Sequence, residues 1–189
     1  MKFAATTLEG AYVIEIEPNS DDRGYFSRIW CRQEFERQGL NTAIEQTSSS
    51  FNFKKGTLRG MHYQDAPNEE VKLVRCTRGA IYDVILDLRV SSPTFRRWFP
   101  IELTAENSKM LYIPTGVAHG FQTLMDSSEV FYQISEAYRP GLARGVRWND
   151  PFFSIVWPLP NPILSARDRD FPDFTSTMES PAGSFGKKS

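Results

Sequence analysis

An all-β sandwich or barrel is the fold class this chain predicts, and three observations predict it. Short runs rich in β-branched and aromatic residues recur along most of the length, each closed by turn residues. Helix signals are few. Of the 189 residues, 40% are hydrophobic and 13% aromatic, the composition of an ordered core rather than a disordered chain. This length suits one domain, expected over residues 1–174, with terminal arms.

The elements follow in order. Residues 12–17 (YVIEIE) alternate with period two and stop at Pro18-Asn19. Residues 33–38 (QEFERQ) read as a short helix stopped by Gly39. Residues 72–77 (KLVRCT) form a strand bounded by Arg78-Gly79, and residues 80–89 (AIYDVILDLR) a longer one ending near Ser91-Ser92-Pro93. Further strands are expected at 97–102, 109–113 and 129–136, and a helical turn near Asp168. Residues 175–189 (TSTMESPAGSFGKKS) are small and polar and read as a flexible tail.

Composition excludes several function classes. With 22 basic and 23 acidic residues the net charge is −1, so no global field attracts nucleic acid or membranes. The first ten residues lack the apolar core of a signal peptide, and no apolar run is long enough to span a bilayer. A cytoplasmic protein is the expectation. Cys31 and Cys76 are the only cysteines and have no zinc-type spacing, which favours reduced, packed thiols over a disulfide.

The two histidines carry most of the functional signal. His62 lies in Leu58-Arg59-Gly60-Met61-His62-Tyr63-Gln64, with Lys72 ten residues on. His119 lies in Ile113-Pro114-Thr115-Gly116-Val117-Ala118-His119-Gly120-Phe121. Histidine is the side chain that trades protons near neutral pH, so its use twice, among cations and turn residues, points to a proton-transfer enzyme. Pro114-x-Gly116-x-x-His119 resembles the second half of the cupin signature, which implies a cupin-type antiparallel β-barrel (jelly roll) with a few short helices. Its first half normally supplies a His-x-His pair, and here that slot reads His62-Tyr63-Gln64. Two histidines cannot meet the usual cupin ligand count of about three plus a carboxylate, so a barrel without a metal or other cofactor is expected.

Taken together, and in order, the segments 22–26 (DRGYF), 58–64, 72–75 (KLVR), 113–121, 147–151 (RWNDP) and 165–168 (SARD) resemble the dTDP-4-dehydrorhamnose 3,5-epimerase family. The resemblance implies a nucleotide-sugar epimerase of deoxysugar (dTDP-rhamnose type) biosynthesis. It would invert C3 and/or C5 of a dTDP-4-keto-6-deoxyhexose through an enolate. Such chemistry needs a base, a cation at the ketone oxygen and an acid on the opposite face. The resemblance assigns His62 as base, Lys72 to the enolate, Tyr132 as proton donor and Asp168 as the carboxylate paired with the histidine. A lone histidine or a barrel tyrosine is more often a packed core residue; the motifs tip both towards catalysis. Asp170 and Asp173 lie close to Asp168 in the chain, and Asp83 is a further candidate partner for Lys72 or a histidine.

Arg23, Arg59, His119 and Arg167 correspond to the family's ligand-binding cations, and guanidinium groups match diphosphate oxygens bidentately. Lys72 also falls in the substrate-binding set. Tyr138 falls where the family stacks a ring on the nucleotide base, and Gln46 and Ser48 where it contacts ligand. The pattern departs at three places: Arg28 and Ala143 stand where the family carries glutamates, and Ser48 where it carries asparagine. The family also implies a homodimer that exchanges an N-terminal strand, for which residues 12–17 are suited, with Arg23 entering the partner's site. Rival readings are a metal-dependent cupin, a non-catalytic nucleotide-sugar-binding cupin and a 4-ketosugar isomerase.

Overall fold

The structure, a computed structural model, describes residues 1–174. The strands are β1 (Lys2–Ala5), β2 (Tyr12–Glu15), β3 (Asn19–Asp21), β4 (Gly24–Phe26), β5 (Gln46–Asn52), β6 (Leu58–Gln64), β7 (Lys72–Arg78) and β8 (Ala80–Asp87). They continue with β9 (Trp98–Thr104), β10 (Met110–Ile113), β11 (Val117–Thr123), β12 (Ser128–Ile134) and β13 (Ala143–Gly145). Two short helices, α1 (Arg32–Arg37) and α2 (Ala166–Arg169), interrupt them. A six-stranded sheet in the order β1-β2-β10-β7-β12-β5 faces a five-stranded sheet in the order β13-β6-β11-β8-β9. All pairings in both sheets are antiparallel, the jelly-roll arrangement the motifs implied.

Alternation of side chains along the strands divides the core into layers. Val74 and Cys76 of β7, Ile81 and Ile85 of β8, Val117 and Phe121 of β11 and Val130 of β12 point between the sheets and form the central cluster. The alternate residues point outward. Leu73, Met110 and Tyr112 pack under α1 through Phe35, which is 1% exposed. Val84, Leu86 and Ala118 pack under the C-terminal arm through Phe153, Trp157 and Phe174. Both outer faces are therefore covered. At the β8–β9 corner the buried Asp87 accepts hydrogen bonds from Arg89 Nε and Nη2 and from the hydroxyls of Ser92 and Thr94. That cluster fixes the connection between β8 and β9.

The sequence reading located β2, β7, β8, β9, β10 and β12 to within two residues at each end, and both helices. It did not place β1, β3, β4, β5, β6, β11 or β13. β5 (QTSSSFN) is largely exposed and polar on both faces, so it carries no alternation. β6 and β11 each contain a glycine and read as turns. Within the single chain, β2 of the segment 12–17 pairs with β1 and β10. The element that stands clear is the β3–β4 hairpin, exposed at every residue. Both cysteines are free. No helix among the described residues is long and apolar enough to cross a membrane. The expected tail, 175–189, lies outside the described residues.

Candidate active site

One end of the space between the sheets is apolar; the other is lined by polar side chains in the same inward columns. On β7, Lys72 continues the column of Val74 and Cys76, and on β12 Tyr132 continues that of Val130. On the facing sheet His119 lies between Val117 and Phe121 in sequence parity, and Asp83 between Ile81 and Ile85. A cavity of about 290 Å³ opens there, lined by Ser48, Arg59, His62, Lys72, His119 and Tyr132 among others. A second cavity of about 200 Å³ adjoins it, sharing His62, Lys72 and Ile134 and adding Tyr138, Ala143 and Arg167.

Arg59 and His62 are three apart, and on a regular strand they would point to opposite faces. The β6–β11 register explains why they share a cavity: His119 faces His62, whereas Phe121, two residues on, faces Arg59. β6 therefore carries one extra residue, a bulge that re-aims the side chain beyond it. Gly60 has φ +134°, and a Cβ there would overlap the Gly120 Cα and lie 3.0 Å from the His119 carbonyl oxygen. The backbones of β6 and β11 approach so closely only because both positions are glycine.

His62 Nε2 lies 2.7 Å from Asp168 Oδ1. Asp168 is 4% exposed, and its backbone N–H donates to Ser165 Oγ at the start of α2. Burial pushes its carboxyl up, but the His62 hydrogen bond and charge, the Gly60 N–H and Ser165 outweigh that and hold it below the usual range. A carboxylate fixed on Nε2 leaves Nδ1 as the ring nitrogen that can take a proton. Neither Asp170 nor Asp173 takes this position; Asp173 pairs with Arg147.

His119 makes the parallel arrangement with Asp83, Nε2 to Oδ1 at 2.5 Å. Asp83 is 0% exposed and its Oδ2 has no hydrogen-bond partner. Burial raises its pKa, opposed by His119 and Lys72. In a column flanked by Ile81 and Ile85, an aliphatic residue would be the more stable choice, so this carboxyl serves the site rather than the fold. The Tyr132 ring lies 6.0 Å from that of His119. Burial raises the Tyr132 phenol far above its ordinary value, with Asp83 adding and Arg59 opposing, so it stays protonated. Lys72, 8% exposed, pairs with Glu70 Oε1 at 2.8 Å and lies 3.4 Å from the His62 carbonyl oxygen.

The remaining expected residues divide. Ser48 lines the inner cavity and Tyr138 and Arg167 the outer one, with the Arg167 guanidinium 5.7 Å from the Phe171 ring. Gln46 lines neither; its Oε1 accepts the Tyr138 backbone N–H at 2.7 Å, so it holds the loop that presents Tyr138. Arg23 is not brought to the site: it sits at the tip of the β3–β4 hairpin, 90% exposed, paired with Asp21. Arg28 pairs with Glu34, which also takes the Met1 ammonium, so its charge is neutralised on the N-terminal arm. Ala143 lines the outer cavity, where a glutamate would have reached in.

Two residues escaped the sequence reading. Buried Asn52 accepts the Arg59 Nε–H at 2.8 Å and so aims that guanidinium. Glu70 pairs with Lys72. Asn52 carries no sequence signal beyond its place at the end of a polar strand. Glu70 stands two residues before Lys72, the spacing that puts both on one face of an extended chain.

The profile of the dTDP-4-dehydrorhamnose 3,5-epimerase family matches residues 5–176. The chain belongs to this family. It is 37% identical over 173 residues to the dTDP-4-dehydrorhamnose 3,5-epimerase of Sinorhizobium fredii, covering 91% of this chain and 89% of that protein. Among solved structures, it resembles the Bacillus anthracis dTDP-4-dehydrorhamnose 3,5-epimerase with TDP and pyrophosphate bound. The TM-score there is 0.89 at 39% identity, over 92% of this chain and 99% of that one. A 3′-monoepimerase from Streptomyces bikiniensis in complex with dTDP-quinovose superposes with a TM-score of 0.83 at 33% identity, over 89% and 85% of the two chains. The family is one of isomerase-class epimerases on a cupin-type fold.

Proposed function

We propose that this chain epimerises a dTDP-4-keto-6-deoxyhexose at C3 and/or C5, in deoxysugar biosynthesis of the dTDP-rhamnose type. The observation that carries the reading is the origin of the two proton-transfer groups. His62 rises from the five-stranded sheet and Tyr132 from the six-stranded sheet, into one cavity. Inversion at carbon requires deprotonation on one face and reprotonation on the other, and facing sheets supply opposite faces.

The steps follow from the groups present. His62 Nδ1 takes the proton from the carbon beside the C4 ketone; the C–H bond breaks and its electrons pass into the enolate. The Lys72 ammonium balances the charge that develops on the ketone oxygen, an effect strengthened by its near-complete burial. Asp168 stabilises the imidazolium formed on His62. The Tyr132 O–H then delivers a proton to the opposite face, and water restores the tyrosinate and the imidazolium. Arg167, in the outer cavity, is suited to the diphosphate, Arg59 to ligand oxygens at the inner one, and Tyr138, 55% exposed at the mouth, to stacking on the base.

A homodimer belongs to this reading. The β3–β4 hairpin carries Tyr25 and Phe26 at 58% and 79% exposure, and its Arg23 lines neither the inner nor the outer active-site cavity of its own chain. The hairpin, rather than β2, is the element suited to reach a second copy's site. Sedimentation as a monomer at micromolar concentration would refute this.

The activity is tested by incubating the protein with dTDP-4-keto-6-deoxyglucose in D₂O and following the C3 and C5 protons by NMR. Exchange that disappears in His62→Ala is the expected result, and its position identifies the centres inverted. Folded protein that exchanges neither position overturns the reading.

A further inference from the structure

We infer that Glu70 is a positioning residue that reserves the Lys72 ammonium for the ketone oxygen by keeping phosphate oxygens away from it. The inference rests on the reading of Lys72 given above. Its basis is where the ion pair sits. Lys72 lines both cavities, whereas Glu70 lines only the outer one, on the side of Tyr138 and Arg167. Glu70 Oε1 is 2.8 Å from Lys72 Nζ, and the two side chains are 11% and 10% exposed. An ion pair so little solvated is screened weakly by water or salt.

The substrate makes this arrangement consequential. A nucleotide ketosugar brings two kinds of oxygen into one cleft: the fixed charge of a diphosphate and the transient charge of an enolate. The fixed charge is larger and is present from the first encounter. An unguarded ammonium between the two subsites would bind phosphate, and the sugar would settle out of register with His62 and Tyr132. A carboxylate on the phosphate side of the ammonium repels that mode and leaves the inner side of Nζ open. Asp83 cannot substitute for it, because Asp83 lies beneath in the five-stranded sheet and is bound to His119. Arg167, which lines the outer cavity, remains for the diphosphate, and among the described residues no carboxylate forms an ion pair with it.

Glu70→Gln removes the charge and keeps the shape; Glu70→Asp keeps the charge. Pyrophosphate binding is measured by calorimetry on wild type, both variants and the Glu70→Gln/Lys72→Met double variant. Pyrophosphate is expected to bind Glu70→Gln about tenfold more tightly, corresponding to about 1.4 kcal/mol. The gain should vanish in the double variant, and Glu70→Asp should match wild type. In turnover, Glu70→Gln should lower kcat and KM together, the mark of substrate held out of register. Unchanged or weaker pyrophosphate binding in Glu70→Gln, or a gain that survives removal of Lys72, overturns the inference. Calorimetry needs no catalysis, so loss of the epimerase reading, seen as no solvent exchange in wild type, is recorded separately.

Discussion

Replacing Asp168 with asparagine removes the charge beneath His62 while keeping the side chain's shape. The carboxylate lies 2.7 Å from His62 Nε2 and also faces the Gly60 N–H and the Ser165 hydroxyl. Opposite charges about 4 Å apart interact by about 4 kcal/mol at an effective dielectric of about 20. At about 1.36 kcal/mol per decade of rate, that sets a ceiling of about 10³ on what Asp168 contributes by stabilising the imidazolium. The His62 side chain is 36% exposed, and solvent lowers the expectation to about 10². Geometry adds to the loss. With its NH₂ turned towards His62, the amide meets the Nε2–H donor head-on. If His62 yields, its proton moves to Nδ1 and the base is blocked. The assay is D₂O exchange at C3 and C5 at neutral pH, with unfolding curves to show the variant is folded. A rate within tenfold of wild type would show that His62 does not depend on this carboxylate.

Three further outcomes follow from the same geometry. Tyr132→Phe should retain exchange through His62 on one face while inversion falls by about 10²–10⁴, read by comparing label uptake with product stereochemistry; unchanged inversion would remove Tyr132 as the acid. Gly60→Ala should cost about 3 kcal/mol, or a fall of about 6–12 °C in Tm, because its Cβ overlaps Gly120 at φ +134°; an unchanged melting curve would contradict the bulge. Burial pushes Asp87 up, but Arg89, Ser92 and Thr94 outweigh it, so its folded pKa lies below the unfolded value. A depressed carboxyl stabilises the fold above the unfolded carboxyl range and loses that contribution as pH falls. Asp87→Asn should therefore destabilise at pH 7 by about 3–5 kcal/mol, with the gap narrowing below about pH 4 in denaturant titrations; a gap independent of pH would refute the assignment.

What the sequence revealed depended on which physical signal each element carries. β7, β8 and β12 are rich in β-branched and aromatic residues and end at turn residues, so the strands were readable, but both of their faces are largely covered and only the family motifs singled out Lys72 and Tyr132. β5 is polar on both faces, and nothing in its composition separates it from a loop. The His62–Asp168 pairing joins residues 106 apart, and only family resemblance could single out Asp168 from Asp170 and Asp173. Its burial and the Ser165 cap supply the physical reason that no local pattern could. Arg23 shows the opposite limit: its motif was legible, but within one chain it has no site to join.

The slot two residues beyond His62 shows how a cupin frame can be turned to a different use. A His-x-His pair would place two imidazoles on one face of β6, both directed at one ion. Here that slot is Gln64, 2% exposed, and its amide is fully occupied: Nε2 donates to the carbonyls of Asn68 and Ala137, and Oε1 accepts the Arg139 N–H. Those partners lie on the two segments that carry Glu70 and Tyr138. An imidazole could not hold both at once, because it has one nitrogen to direct each way where the primary amide has two donors and an acceptor. The glutamine thus ties the loop before β7 to the loop after β12. It fixes the outer cavity relative to His62, and with it the distance between the diphosphate subsite and the carbon to be inverted.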